Sequence, residues 1–274
     1  MNFINQIKYR IQRLNGVEKL IMINVACFVA PLFLNTILFL FNIPSSFFLG
    51  WFELSSSLID LLFKPWTILS YSFLHSGFFH LFWNMYLLFF ISRLYLNIFS
   101  VRNFFNIYFL GVILGGITFI LSYALFPAFQ NSSPFMVGSS AGVMAVFIFM
   151  STYSSDLEVS LILFNIKLRY LGIAFVLLDI IQIPYGNAGG HIAHLGGAGL
   201  GFLYAQRLKQ GVDIGEPFGV IIDKVINLFK IKPKMKPVHK NFSKTKSVNK
   251  NLTNNDKVQK QIDDILDKIS MSGY

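Results

Sequence analysis

The chain has 274 residues, of which 54% are apolar and only 13% charged. A soluble domain carries about a quarter charged residues, so the composition excludes an ordinary soluble fold and points to an all-α membrane protein. The formal charge of +10 does not indicate nucleic acid: 14 of the 23 Lys and Arg lie from Arg207 onward, others precede the first apolar run, and basic flanks beside apolar spans suit anionic lipid.

Residues 1–19 form a basic N-terminal segment with Lys8, Arg10, Arg13 and Lys19. A bilayer core needs about 20 apolar residues per helix, and the first such run is Leu20 to Phe41. Its length and the lack of a small-residue cleavage site argue against a signal peptide. Cys27, within it, is the one cysteine, which rules out a disulfide framework. Residues Asn42 to Ser70 are apolar but broken by Pro44, Gly50 and Pro65, and carry Trp51, Phe52 and Trp66. Such aromatics favour a membrane interface, so the segment reads as a partly embedded loop, with a passive connector as the alternative.

Further spans are predicted at about Phe78–Leu94, Phe104–Leu125, Val137–Thr152, Tyr170–Ile183 and His191–Ala205, which gives six spans within residues 20–207. An even count puts both termini on one side together with Arg93, Arg102, Lys167 and Arg169, leaving Lys64 alone on the other. The positive-inside rule then makes both termini cytoplasmic. The tail, residues 208–274, contains a predicted interfacial helix over 216–231 and a Lys- and Asn-rich stretch, Lys232 to Asn255, with the composition of a disordered linker. A short amphipathic helix over 256–269, built on Val258, Ile262, Ile265, Leu266 and Ile269, offers a face to a partner.

Polar groups at membrane depth are costly and need a reason. His75, His80, His191 and His194 lie in or beside predicted spans. His80 and Asn84 share a helical face at i and i+4, and His191 and His194 share one at i and i+3. Gly138-Ser139-Ser140-Ala141-Gly142 opens the fourth span. Alone, this pentapeptide is better explained as small residues for close helix packing. Gly196, Gly197, Gly199 and Gly201 follow His194 and allow its helix to approach another backbone. A serine needs an adjacent base to become a nucleophile, and packing of these two helices can supply one.

The ordered set His75-x4-His80-x3-Asn84, Gly138-x-Ser140 and His194-x2-Gly197-x3-Gly201 resembles the rhomboid family of intramembrane serine proteases. Pro65-Trp66-Thr67 and Phe73-Leu74-His75 resemble the family's lead-in to the second span, and the resemblance covers about Leu20 to Arg207. It implies a six-helix rhomboid-type bundle around a water-filled site, with Ser140 as nucleophile and His194 as base. It also implies His80, Asn84 and the Ser140 N–H as oxyanion donors, His75, Gly138, Gly197 and Gly201 as supporting residues, and no metal or cofactor. The chain departs from the family at Met144, where a Tyr is frequent one turn after the nucleophile, and at Leu96, where a Glu is frequent. Asp179 is the only carboxylate within the spans, and nothing in the sequence pairs it with His194, so the reading is a Ser–His dyad. Substrates are then membrane proteins with a transmembrane segment, and the location a bacterial plasma membrane. The alternatives are a non-catalytic rhomboid-like client binder and a metal-dependent enzyme using the four histidines. The second lacks H-E-x-x-H and an evident general base. A transporter would show corresponding broken segments in two halves, and none is evident.

Overall fold

A computed structural model describes residues 3–44, 46–129, 132–160, 164–229 and 254–272. The chain divides into two compact units, residues 1–229 and 230–274.

The first unit begins with α1 (Phe3–Arg13) and α2 (Gly16–Leu40). They are separated by a capping box: the Glu18 N–H donates to Asn15 Oδ1 at 2.9 Å and the Asn15 N–H donates to Glu18 Oε2 at 2.8 Å. These bonds satisfy donors at the new helix end and start α2 earlier than the Leu20 expected from hydropathy alone. Segment 42–70 holds α3 (Ser46–Leu49), β1 (Leu54–Ser55), α4 (Leu58–Phe63) and α5 (Thr67–Ser70). It is locally built rather than slack. Trp66 Nε1 donates to the Trp51 carbonyl at 2.7 Å, and Lys64 Nζ donates to the Gly50 carbonyl at 3.0 Å. The Trp51 and Trp66 rings stack with centroids 6.3 Å apart.

Next come α6 (Phe78–Leu96), α7 (Val101–Leu125), β2 (Phe135–Met136) and α8 (Ser140–Tyr153). β1 pairs antiparallel with β2, placing Leu54 opposite Met136, so segment 42–70 is tied to the residues just before Ser140. A small hairpin, β3 (Glu158–Ser160) and β4 (Asn165–Lys167), leads into α9 (Leu168–Gln182), α10 (Ala188–Lys209) and α11 (Glu216–Phe229). Each of the six apolar segments expected from the sequence is helical. Among the described residues three helices are long and apolar enough to cross a membrane, namely Gly16–Leu40, Val101–Leu125 and Leu168–Tyr185. A fourth arises if Thr67–Phe73 and Phe78–Leu96, bent by 97°, form one broken span. The other two helices depart from that pattern for physical reasons. α8 has 14 residues and buries Ala141 through Ser151, so it meets protein rather than lipid. α10 trades apolar side chains for glycine.

Those glycines set the core. A Cβ on Gly197 would lie 2.1 Å from the Ala141 carbonyl oxygen, and one on Gly201 2.1 Å from that of Ala145, while one on Gly196 would meet Thr118 of α7. α10 is therefore wedged between α7 and α8 with backbone against backbone, an approach only a missing side chain allows. Gly199, on the exposed side, has no atom of another described element within 4 Å of its Cβ position. Gly201→Ala is expected to destabilise the protein by about 1–3 kcal/mol through overpacking. Gly199→Ala, at the same helix and with the same chemistry, should be neutral or stabilising by up to about 1 kcal/mol. Thermal unfolding of both variants in detergent checks the pair.

α11 docks on α7 through Arg102, which bridges Glu216 at 3.2 Å and Asp223 at 2.9 Å. Its Ile221, Val225 and Leu228 remain exposed. The second unit's described residues form α12 (Asn254–Met271), with Val258, Ile262, Ile265, Leu266 and Ile269 exposed on it. Of the expected linker, all but the last two positions lie outside the described residues, as do positions 230 and 231 of the expected interfacial helix.

Candidate active site

Gly138 has φ +127°, a backbone conformation that L side chains rarely adopt. A Cβ there would also lie 2.8 Å from the His80 ring, with Ser140 Oγ at 3.6 Å from the same point. Glycine thus both turns the chain into α8 and lets the His80 ring stand over the turn. The Gly138 N–H donates to the Tyr71 carbonyl at 3.0 Å, which anchors the turn from behind. The strand and this turn explain why the helix starts at Ser140 rather than at Val137. As the first residue of α8, Ser140 carries one of the N–H groups that have no partner within the helix.

α6 supplies the next two groups. Ser76 Oγ lies 3.0 Å from His80 Nδ1; a serine proton donated there leaves the imidazole proton on Nε2. Asn84 Nδ2 donates to the His80 carbonyl at 2.8 Å, one turn back on the same helix. His75 takes a different place: its Nε2 is 3.3 Å from the hydroxyl of the buried Ser139, and not of Ser140.

α9 and α10 supply the last group. They are joined by the short connection at 183–187, and Asp179, near the end of α9, lies against the first turns of α10. Asp179 is buried, and its Oδ1 lies 2.8 Å from Nδ1 of His194 and 2.8 Å from Nδ1 of His191. Sequence reasoning did not place this carboxylate beside the two histidines. The signal was present: a carboxylate in an apolar span needs a partner, and helices joined by a short loop are antiparallel neighbours.

One cavity of about 1010 Å³ is lined by Ser140, His194, His80, Asn84 and Gly138, together with Met144, Asp179 and His191. His75, Gly197 and Gly201 stand outside its lining, the two glycines at the α8–α10 contact. Chemically the cavity holds a hydroxyl at a helix start, an imidazole oriented by a carboxylate, and N–H donors beside the hydroxyl. The four histidines do not converge as one metal-binding set. Among the described residues the group that does is Asp179, His191 and His194, whose donor atoms lie within 4.8 Å of one another.

A family model described as Rhomboid domain matches residues 62–210, more than half of the 274 residues. No curated protein matches the chain.

Proposed function

The chain belongs to the rhomboid family and is an integral membrane protein, and from that premise we propose that it is an intramembrane serine endopeptidase. Its substrates are membrane proteins cut in or near a transmembrane segment. The observation that carries the reading is the single cavity shared by Ser140, His194, His80 and Asn84. In this mechanism His194 Nε2 takes the Ser140 proton as Oγ attacks the scissile carbonyl, and later returns it to the leaving amine. Asp179 accepts the Nδ1–H of His194, which leaves Nε2 bare to act as the base. Charge developing on the carbonyl oxygen is met by the Ser140 N–H, His80 and Asn84, fixed before the reaction starts. No cofactor takes part.

The topology that goes with this reading has six spans, α2, α6, α7, α8, α9 and α10, with both termini in the cytoplasm of a bacterial cell. Segment 42–70 lies at the outer interface, where its stacked tryptophans suit the headgroup region. An extended stretch of substrate backbone, which lipid cannot solvate, finds polar partners in the cavity.

The test is cleavage of a single-span substrate in liposomes by the wild type and by Ser140→Ala, with and without EDTA. Cleavage by the wild type alone, indifferent to EDTA, is expected. Cleavage that survives Ser140→Ala removes the nucleophile, and no cleavage by a folded protein across several substrates favours a client-binding role. His80→Ala is expected to lower kcat by about 10²–10³-fold, as loss of one oxyanion donor does in a soluble serine protease. KM should change little, because the donor acts on charge that develops only in the transition state.

A further inference from the structure

The mechanism uses Asp179 and His194 and leaves His191 without a task, although His191 Nδ1 is as close to the same carboxylate oxygen as His194 Nδ1 is, both at 2.8 Å. We propose that Asp179, His191 and His194 form an inhibitory site for a divalent transition-metal ion of the zinc class. Inhibition rests on the protease reading above; metal binding does not.

Two imidazoles and a carboxylate are a ligand set for zinc, copper, nickel or cobalt and a poor one for calcium or magnesium. A tetrahedral ion holding N and O ligands at about 2.0–2.1 Å sets them roughly 3.4 Å apart. The donor atoms here already lie within 4.8 Å of one another, so small side-chain rotations close the site. The histidines sit one turn apart on α10, and the carboxylate comes from α9 across a short connection, so no loop has to be ordered. All three residues line the cavity, which leaves a fourth coordination position for water.

Such an ion disables the base without removing it. A neutral imidazole carries one ring proton. Coordination through Nδ1 needs the lone pair there, so the proton moves to Nε2, with none released overall. The nitrogen that must accept the Ser140 proton is then an N–H donor, and the Asp179 hydrogen bond that held the productive tautomer is replaced by the metal.

The test uses the full chain in detergent, stripped with EDTA and then freed of it. Cobalt(II), a spectroscopic substitute for zinc, is titrated into the wild type and His191→Gln. The expected result is the visible absorption of a four-coordinate N/O site in the wild type, displaced by zinc and absent in His191→Gln. In parallel, zinc should inhibit cleavage by the wild type, with EDTA restoring it and magnesium without effect. His191→Gln, which keeps an N–H donor for Asp179, should cleave as the wild type does and need more than about 100-fold more zinc, since even the loss of a second-sphere partner costs 10–100-fold. If His191→Gln is not monodisperse by size exclusion, His191→Asn takes its place. No cobalt absorption, or the same absorption in both proteins, overturns the site. Equal zinc inhibition of both proteins overturns the inhibitory role, as does zinc that restores activity lost on stripping. If no form cleaves, the protease reading and the inhibition fall together, and the cobalt absorption decides the metal site by itself.

Discussion

Ser140→Ala, His194→Ala and the double variant should reduce cleavage to one common floor, at least about 10⁴-fold below the wild type. In a soluble serine protease, removing the serine or the histidine alone costs about as much as removing the whole catalytic set, on the order of 10⁶. The reason is that each group is useless without the other: an unassisted hydroxyl is a weak nucleophile, and a base with no proton to take does nothing. If the two losses multiplied instead, Ser140 and His194 would be acting independently, and the shared-proton mechanism would be wrong. The assignment also separates His194 from His191. Gly197 faces Ala141, the residue after Ser140, with its Cβ position 2.1 Å from the Ala141 carbonyl oxygen. His194 is one helical turn from Gly197, and His191 nearly two. An inactive His191→Gln beside an active His194→Ala would reverse the assignment.

Much of this was legible because membranes simplify the reading. Long apolar runs located α2, α7 and α9, and charge asymmetry gave an expected orientation. The motif residues Ser140, His80, Asn84 and His194 line one cavity; a common site for them was implied by the family resemblance and not by helical periodicity. The glycines after His194 were legible as a contact surface, though which of them face inward was not. Gly197 and Gly201 meet α8, whereas Gly199 meets no other described element, and spacing by four separates the two classes only once the partner helix is known. The two-residue strands at Leu54–Ser55 and Phe135–Met136 were not legible, because pairing across some 80 positions leaves no local pattern of alternation. The start of α8 was misplaced by three residues for a related reason: Val137 is as apolar as the helix that follows, and only the backbone at Gly138 reveals the turn. Asp179 was noticed but left without a role. Its role depends on the α9–α10 hairpin, which is a statement about packing rather than about sequence.

Asp179→Asn is expected to lower kcat by about 10²–10⁴-fold with KM and thermal stability little changed. The upper figure is what the same substitution costs in a soluble triad, where the amide turns the imidazole to the wrong tautomer. The lower figure applies if the amide oxygen keeps the place of Oδ1. Both Nδ1–H bonds then survive, and only the charge that steadies the imidazolium is lost. Stability is spared because Asn is nearly isosteric with Asp and its amide oxygen can still accept from both histidines, so the substitution leaves no buried donor unpaired. A residue that merely seated α9 against α10 would behave in the opposite way. Its replacement would lower the unfolding temperature and leave kcat intact in whatever remained folded. Kinetics and melting measured on the same preparation therefore decide between the two roles. If Asp179→Asn cleaves at the wild-type rate, Ser140 and His194 work as an unassisted pair, the dyad that the sequence by itself suggested. If kcat falls while the melt stays put, the protein uses the buried carboxylate of Asp179 to hold its base.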